Sequence, residues 1–128
     1  MRVALIASPF ISIPPTHYGG TELFIAHLAE GLERMGIEVV VYCNGESTVN
    51  AEKRSYYPHA EWPLSTESSG MLKELDHLSW SIEDAAGMCD LIHINSASAI
   101  TYSRYVSTPF ICTLHHPQES SLTRMYEL

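Results

Sequence analysis

The run Val3-Ala4-Leu5-Ile6-Ala7 is wholly apolar. It leads into a loop holding Pro9, Pro14 and Pro15, then a Gly19-Gly20 pair, then a helical pattern lasting to Gly36. A continuous apolar run suits a strand covered on both faces, as parallel strands are in α/β proteins. The prolines hold the connection out of helix and sheet, and the glycines remove side chains where the chain turns into the helix. From Thr21 onward Ile25, Leu28, Ala29, Leu32 and Met35 recur at helical spacing, with Glu22, Glu30, Glu33 and Arg34 mostly on other faces. Glu22 suits the positive end of that helix, and Gly36 stands where a left-handed cap would stop it. Ile37 to Cys43 is a second β-rich run. A strand, a loop, a helix and a strand in this order predict a parallel pair joined by a crossover helix. The unpaired N–H groups of the helix start then lie beyond the carboxyl edge of the sheet, where they can meet a phosphate.

Further along, the alternation continues. Asn44 to Gly70 is polar and rich in Ser, Pro and Gly; only Ser55-Tyr56-Tyr57 offers a short third strand, and the length suits a binding surface. Tyr56, Tyr57, His59 and Trp62 there either stack on a sugar or pin the loop to the domain. Met71, Leu75, Leu78, Ile82, Ala85 and Ala86 define a second amphipathic helix ending near Gly87. Trp80 falls off that stripe, so it is either partly exposed or covered by something outside this chain. Asp90 to Asn95 reads as a strand, Ser96 to Tyr105 as a short helix capped by Ser96, and Pro109 to Leu114 as a further strand. His115-His116-Pro117-Gln118 and Ser120 to Leu128 read as another connection and the start of a helix, so the architecture is expected to be incomplete. The prediction is an α/β, Rossmann-like, doubly wound parallel sheet in a single domain over 1–128, with ligands beyond the carboxyl ends of its strands.

Composition narrows the function classes. Seven Lys and Arg against fifteen Asp and Glu give a formal charge of −8, which repels a nucleic-acid backbone or an anionic bilayer at long range. The apolar stretches are strand-sized and no basic n-region precedes the first strand, so neither a membrane span nor a signal peptide is expected, and the chain reads as cytoplasmic. Cys43, Cys89 and Cys112 are widely spaced and set in or beside apolar runs, the pattern of buried reduced thiols. The first loop has Ser8-Pro9-Phe10 where a G-x-G-x-x-G turn would lie, and no G-x-x-x-x-G-K-[ST] occurs, which removes the dinucleotide and P-loop readings.

Several segments together are more specific than the glycine pair alone: Val3 to Ala7; Pro14-Pro15-Thr16-His17-Tyr18-Gly19-Gly20-Thr21-Glu22; Leu32-Glu33-Arg34-Met35-Gly36; Asp90-Leu91-Ile92-His93; and Thr113-Leu114-His115-His116. In these the chain resembles the N-terminal, acceptor-side domain of the nucleotide-sugar-dependent retaining glycosyltransferases of family 4, which have the GT-B fold. The resemblance implies transfer of a sugar from a nucleotide-diphosphate donor to an acceptor hydroxyl, the acceptor being a small molecule or a glycan. It also implies a C-terminal Rossmann-like domain, absent here, that binds most of the nucleotide and carries an E-x7-E motif; this chain alone is expected to be inactive.

The resemblance assigns Gly19 and Gly20 to the donor diphosphate, and it assigns His115 to a donor-sugar hydroxyl near the reacting centre. There His115 would orient the sugar and help stabilise charge without acting as a nucleophile. His93 and Asn95 stand where relatives often carry His-x-His, and with His116 they are acceptor-side candidates. A zinc site built from His93, His115 and His116 lacks H-x-x-x-H or Cys spacing, and no metal or other cofactor is expected. For Glu22, helix-dipole compensation explains the residue more simply than an acid/base role, and no pair of carboxylates reads as a glycoside hydrolase site. Two other readings share the pattern: a sugar-nucleotide epimerase of the same architecture, and a non-catalytic binding module derived from such an enzyme.

Overall fold

The computed structural model describes residues 1–64, 67–117 and 119–127; Ser65 and Thr66 of the long loop, Gln118 of the last connection and the terminal Leu128 lie outside the described residues. Five parallel strands form one sheet: β1 (Arg2–Ile6), β2 (Glu38–Tyr42), β3 (Glu52–Arg54), β4 (Leu91–Ile94) and β5 (Phe110–Cys112), in the order β3-β2-β1-β4-β5. Ile6 is in register with Tyr42 on one side and Ile94 on the other, so β1 is the central strand. Helix α1 (Gly20–Arg34) crosses from β1 to β2, and α2 (Glu67–Ala86) returns the chain past β1 to β4. A 3₁₀ helix (Ala97–Arg104) joins β4 to β5, and α3 (Ser120–Tyr126) follows.

The two-residue period of the strands decides which helix covers which face. Val3, Leu5, Val39 and Val41 point to one side and pack with Ile25 and Ala29 of α1. Ala4, Ile6, Val40, Tyr42, Ile92 and Ile94 point to the other and pack with Leu78, Ile82 and Ala85 of α2 and Ala99 of the 3₁₀ helix. Helices therefore cover both faces, which makes the sheet the doubly wound one that the apolar strand runs predict. Because the connections on either side of β1 run in opposite directions, the topological switch point lies between β1 and β4.

Helix α1 stops as expected. Gly36 has φ +79°, its N–H bonds the Glu33 carbonyl at 2.9 Å, and the Ile37 N–H reaches back to Leu32 at 3.1 Å, a Schellman cap closed by packing of Leu32 and Ile37 on the same core. Met35, expected on the apolar stripe, is exposed at the cap.

The third strand is Glu52–Arg54, not Ser55 to Tyr57; its three charged residues suit an edge strand that must resist further pairing. Tyr56 and Tyr57 instead pin the loop. The Tyr57 hydroxyl donates to Asp76 at 2.6 Å, and Tyr56 packs on Trp80, ring centroids 5.4 Å apart. Trp80 is half-buried, covered by Tyr56 and Tyr42 of this same chain. In α2 the apolar stripe is buried only from Leu78 onward, while Met71 and Leu75 are exposed. A 20-residue helix is about 30 Å long and a five-residue strand about 16 Å, so the first half of α2 overshoots the carboxyl edge of the sheet. The segment expected as a short helix from Ser96 is 3₁₀, and the Ser96 side chain makes no capping bond. All three cysteines are free; Cys43 and Cys89 are buried and Cys112 is half-buried.

Tyr42 is fully buried, yet its hydroxyl donates to Asp84 at 2.7 Å, and Asp84 also pairs with Arg54 at 3.0 Å. A hydrogen bond to a charged group contributes about 1.5 to 3 kcal/mol. Tyr42→Phe is expected to cost about 1.5 kcal/mol in urea denaturation with an unchanged slope; an unchanged midpoint would show that this bond adds nothing to stability.

Candidate functional site

Beyond the carboxyl ends of β1, β4 and β5, the loops leaving the strands bring polar side chains together. The last two carbonyls at the end of β1 are each held by a side chain from another element. Ile6 accepts from Asn95 Nδ2 at 3.2 Å and Ala7 accepts from His77 Nε2 at 2.9 Å. Asn95 follows β4 directly, and His77 comes from the middle of α2.

His93, Asn95 and His115 are brought together. His115 Nε2 lies 2.9 Å from Asn95 Oδ1, and His93 Nε2 lies 2.7 Å from the Thr113 hydroxyl. Thr113 is placed by its own backbone N–H, which bonds the Ile94 carbonyl at 3.1 Å and extends β5 past its last paired residue. On β4, His93 alternates with Ile92 and Ile94 and so faces α1, where Phe24 meets both imidazoles edge-on, at 6.3 Å from His93 and 5.3 Å from His115. His116 is exposed and stands outside this bonded set.

Burial pushes both site histidines below the ordinary imidazole value, with His116 adding to the effect on His115 and His115 adding to that on His93. Both rings are therefore neutral at pH 7. Each then offers one N–H donor and one bare nitrogen acceptor.

Gly19 and Gly20 stand at the head of α1, one turn before Phe24. Gly19 is the buried N-cap with φ +142°, and its carbonyl accepts the first helical bond from Leu23 at 2.9 Å. Gly20 is exposed, and a Cβ built on it would meet nothing within 4 Å, so its surroundings are open. Glu22 is buried, and its carboxyl lies against Gly19. Desolvation pushes it above the usual carboxylate range, opposed by bonds from its own amide and the Ser8 hydroxyl.

Next to this edge, the loop after β1 and the 44–64 loop enclose a cavity of about 480 Å³ whose walls include Phe10, His17, Tyr18 and Trp62. Tyr18 and Trp62 are exposed and stacked, centroids 5.3 Å apart and planes within 4°. His59 is exposed, with Nδ1 3.2 Å from Glu46 Oε1. Among the described residues no group of three His, Cys, Asp or Glu is placed to hold a metal ion, and no helix is long and apolar enough to cross a membrane.

Residues 18–127 match the family model of Glycosyltransferase Family 4, nearly the whole chain. The chain belongs to glycosyltransferase family 4. A search among curated proteins finds no match. Among solved structures this family-4 chain is similar to the C-terminal domain of the coenzyme A biosynthesis bifunctional protein CoaBC, at 15% identity and a TM-score of 0.43. The match covers 75% of this chain and 44% of that one, so the chain spans less than half of that protein.

Three residues of the site escape a reading of sequence alone. Phe24 carries no signal, since an aromatic near the start of a helix reads as packing. Thr113 is visible only once β4 and β5 are neighbours. His77 carries no signal either, since Asp76, Ser79 and Ser81 around it are polar and it reads as part of a solvated helix face.

Proposed function

We propose that this family-4 chain is the N-terminal, acceptor-side domain of a glycosyltransferase that moves a sugar from a nucleotide-diphosphate donor to an acceptor hydroxyl with retention of anomeric configuration. The observation that carries the reading is the neutral His115 held by Asn95 at the carboxyl edge beside the switch point, against Phe24, which lies one turn of α1 after the exposed Gly20. Position and chemistry agree: the helix start suits the donor diphosphate, and a neutral imidazole suits a sugar hydroxyl. In this reading a C-terminal Rossmann-like domain outside the 128 residues forms the other wall and binds most of the nucleotide, so the chain alone does not turn over. Tyr18 and Trp62 give the acceptor side an apolar face on which a sugar ring can lie. Neither the diphosphate site nor the histidine requires a metal. Three free thiols suit a reducing, cytoplasmic setting.

The test is titration of the labelled chain with UDP-sugars at millimolar concentration, followed by backbone NMR. Shifts at Gly19, Gly20 and His115 are expected. Movement at other sites while these three stay still would overturn the assignment. In an enzyme that contains this domain, His115→Ala is expected to lower turnover roughly 100-fold, the effect of losing one preorganised polar contact at a reacting centre; unchanged turnover would remove His115 from the site.

A further inference from the structure

Asn95 sits with its amide between two partners of fixed character. On one side is the Ile6 carbonyl, which can only accept, so the amide nitrogen must face it, and it does so at 3.2 Å. The amide oxygen is thereby turned to His115, 2.9 Å from Nε2. An amide oxygen also only accepts. The nitrogen facing it must carry the ring proton, and in a neutral imidazole the other nitrogen is then bare.

We propose that Asn95 is a positioning residue that locks His115 in the Nε2–H tautomer and so makes Nδ1 an obligatory acceptor for a ligand hydroxyl. The tautomer follows from the geometry alone; that the ligand is a sugar hydroxyl rests on the glycosyl-transfer reading above. The lock is anchored on the central strand, where Ile6 is paired in register with both β2 and β4. Phe24 standing edge-on at 5.3 Å restricts the imidazole plane from the α1 side. A histidine in place of Asn95 could exchange donor and acceptor with His115. An amide with its nitrogen held by a backbone carbonyl cannot.

The consequence is selectivity. A hydroxyl that donates to Nδ1 is accepted, whereas a carbonyl or deoxy position opposite Nδ1 leaves that nitrogen without a donor. Burial and His116 hold the ring neutral, which keeps the tautomer defined at pH 7.

Long-range ¹H–¹⁵N correlation spectra of the imidazole rings, recorded on the full chain above pH 7, test the proposal. The wild type is expected to show His115 in the Nε2–H form, with the exposed His116 ring as an internal reference for an unrestrained imidazole. In Asn95→Leu the tautomer ratio of His115 is expected to relax roughly fivefold toward that reference, the worth of one ordinary hydrogen bond. Asn95→Asp keeps the acceptor and is expected to retain the Nε2–H form while raising the protonation midpoint of His115, with His93 and His116 followed in the same titration as the other titratable groups around it. An Nδ1–H ring in the wild type, or a ratio unmoved in folded Asn95→Leu, overturns the lock. If Asn95→Leu fails to fold, an unmoved His115 midpoint in Asn95→Asp overturns it instead. An Nε2–H ring that ignores UDP-sugars would count against the glycosyl-transfer reading and leave the tautomer lock standing.

Discussion

Gly19→Ala is expected to destabilise the chain by about 3 kcal/mol, while Gly20→Ala, one residue on, stays within about 0.5 kcal/mol of wild type. The two positions look alike in the sequence and differ in every physical respect in the fold. Gly19 has φ +142°, a conformation that L side chains rarely adopt, and a Cβ there would stand 2.9 Å from Pro15 Cβ, 2.9 Å from Glu22 Oε2 and 3.1 Å from Ile11 Cγ2. Backbone strain of about 1 to 3 kcal/mol adds to overpacking of similar size. Gly20 lies within α1 with open space where a Cβ would go. Urea denaturation of both variants checks the stability difference. The pair also separates the turn, which needs Gly19, from the proposed anion contact at Gly20. If Gly20→Ala is stable and yet loses the UDP-sugar response, the open amide is where the anion approaches. Should Gly19→Ala prove as stable as wild type, the turn does not depend on the φ and contacts described here.

The same comparison shows where sequence reading succeeds and where it stops. Val3 to Ala7 and Ile37 to Cys43 declare a parallel pair because an unbroken apolar run has no solvent face to offer. Gly36 declares the end of α1, since the Schellman cap depends on one residue and its two neighbours. These are local facts. Errors arise where tertiary context decides: the third strand falls on Glu52–Arg54, a charged stretch that no apolar pattern marks, because pairing with β2 and not burial makes it a strand. Met71 and Leu75 have the spacing of a buried stripe and are exposed, because helix length and strand length differ, a mismatch that periodicity does not encode. At the site, the types and the strand ends of His93, Asn95 and His115 are legible. Their partners are not, since bonds from Asn95 to Ile6 and from His115 to Asn95 span 89 and 20 residues.

His77 is expected to make the chain sensitive to mild acid. It is fully buried; Nε2–H is bound to the Ala7 carbonyl, and Nδ1 has no partner among the described residues. A second proton on Nδ1 would place an unpaired charge in the core. Burial therefore lowers its pKa to about 4, with the Ala7 bond and Asp76 acting in the opposite sense and Lys73 in the same sense. In the unfolded chain the ring titrates near the ordinary value of about 6.5. Above that pH both states are neutral and His77 confers no pH dependence. As pH falls from about 6.5 to 4 only the unfolded state takes up the proton, so stability drops by about 3 kcal/mol, and below pH 4 the loss is complete. Glu22 and Glu74, whose carboxyls are pushed up by burial, act with the opposite sign at the acid end of this window. The wild-type curve is thus a composite, and the difference from His77→Phe isolates the imidazole. That variant leaves the Ala7 carbonyl without its donor, so it is expected to be about 1 to 2 kcal/mol less stable than the wild type at pH 7 and, being spared the imidazole's loss, to become about 1 to 2 kcal/mol more stable than it as pH falls to 4. Parallel curves for the two proteins between pH 6.5 and 4 would mean that His77 is not held neutral. Because its partner is the carbonyl next to the one that holds Asn95, the group that limits acid stability and the group that orients His115 are anchored on consecutive residues at the end of β1.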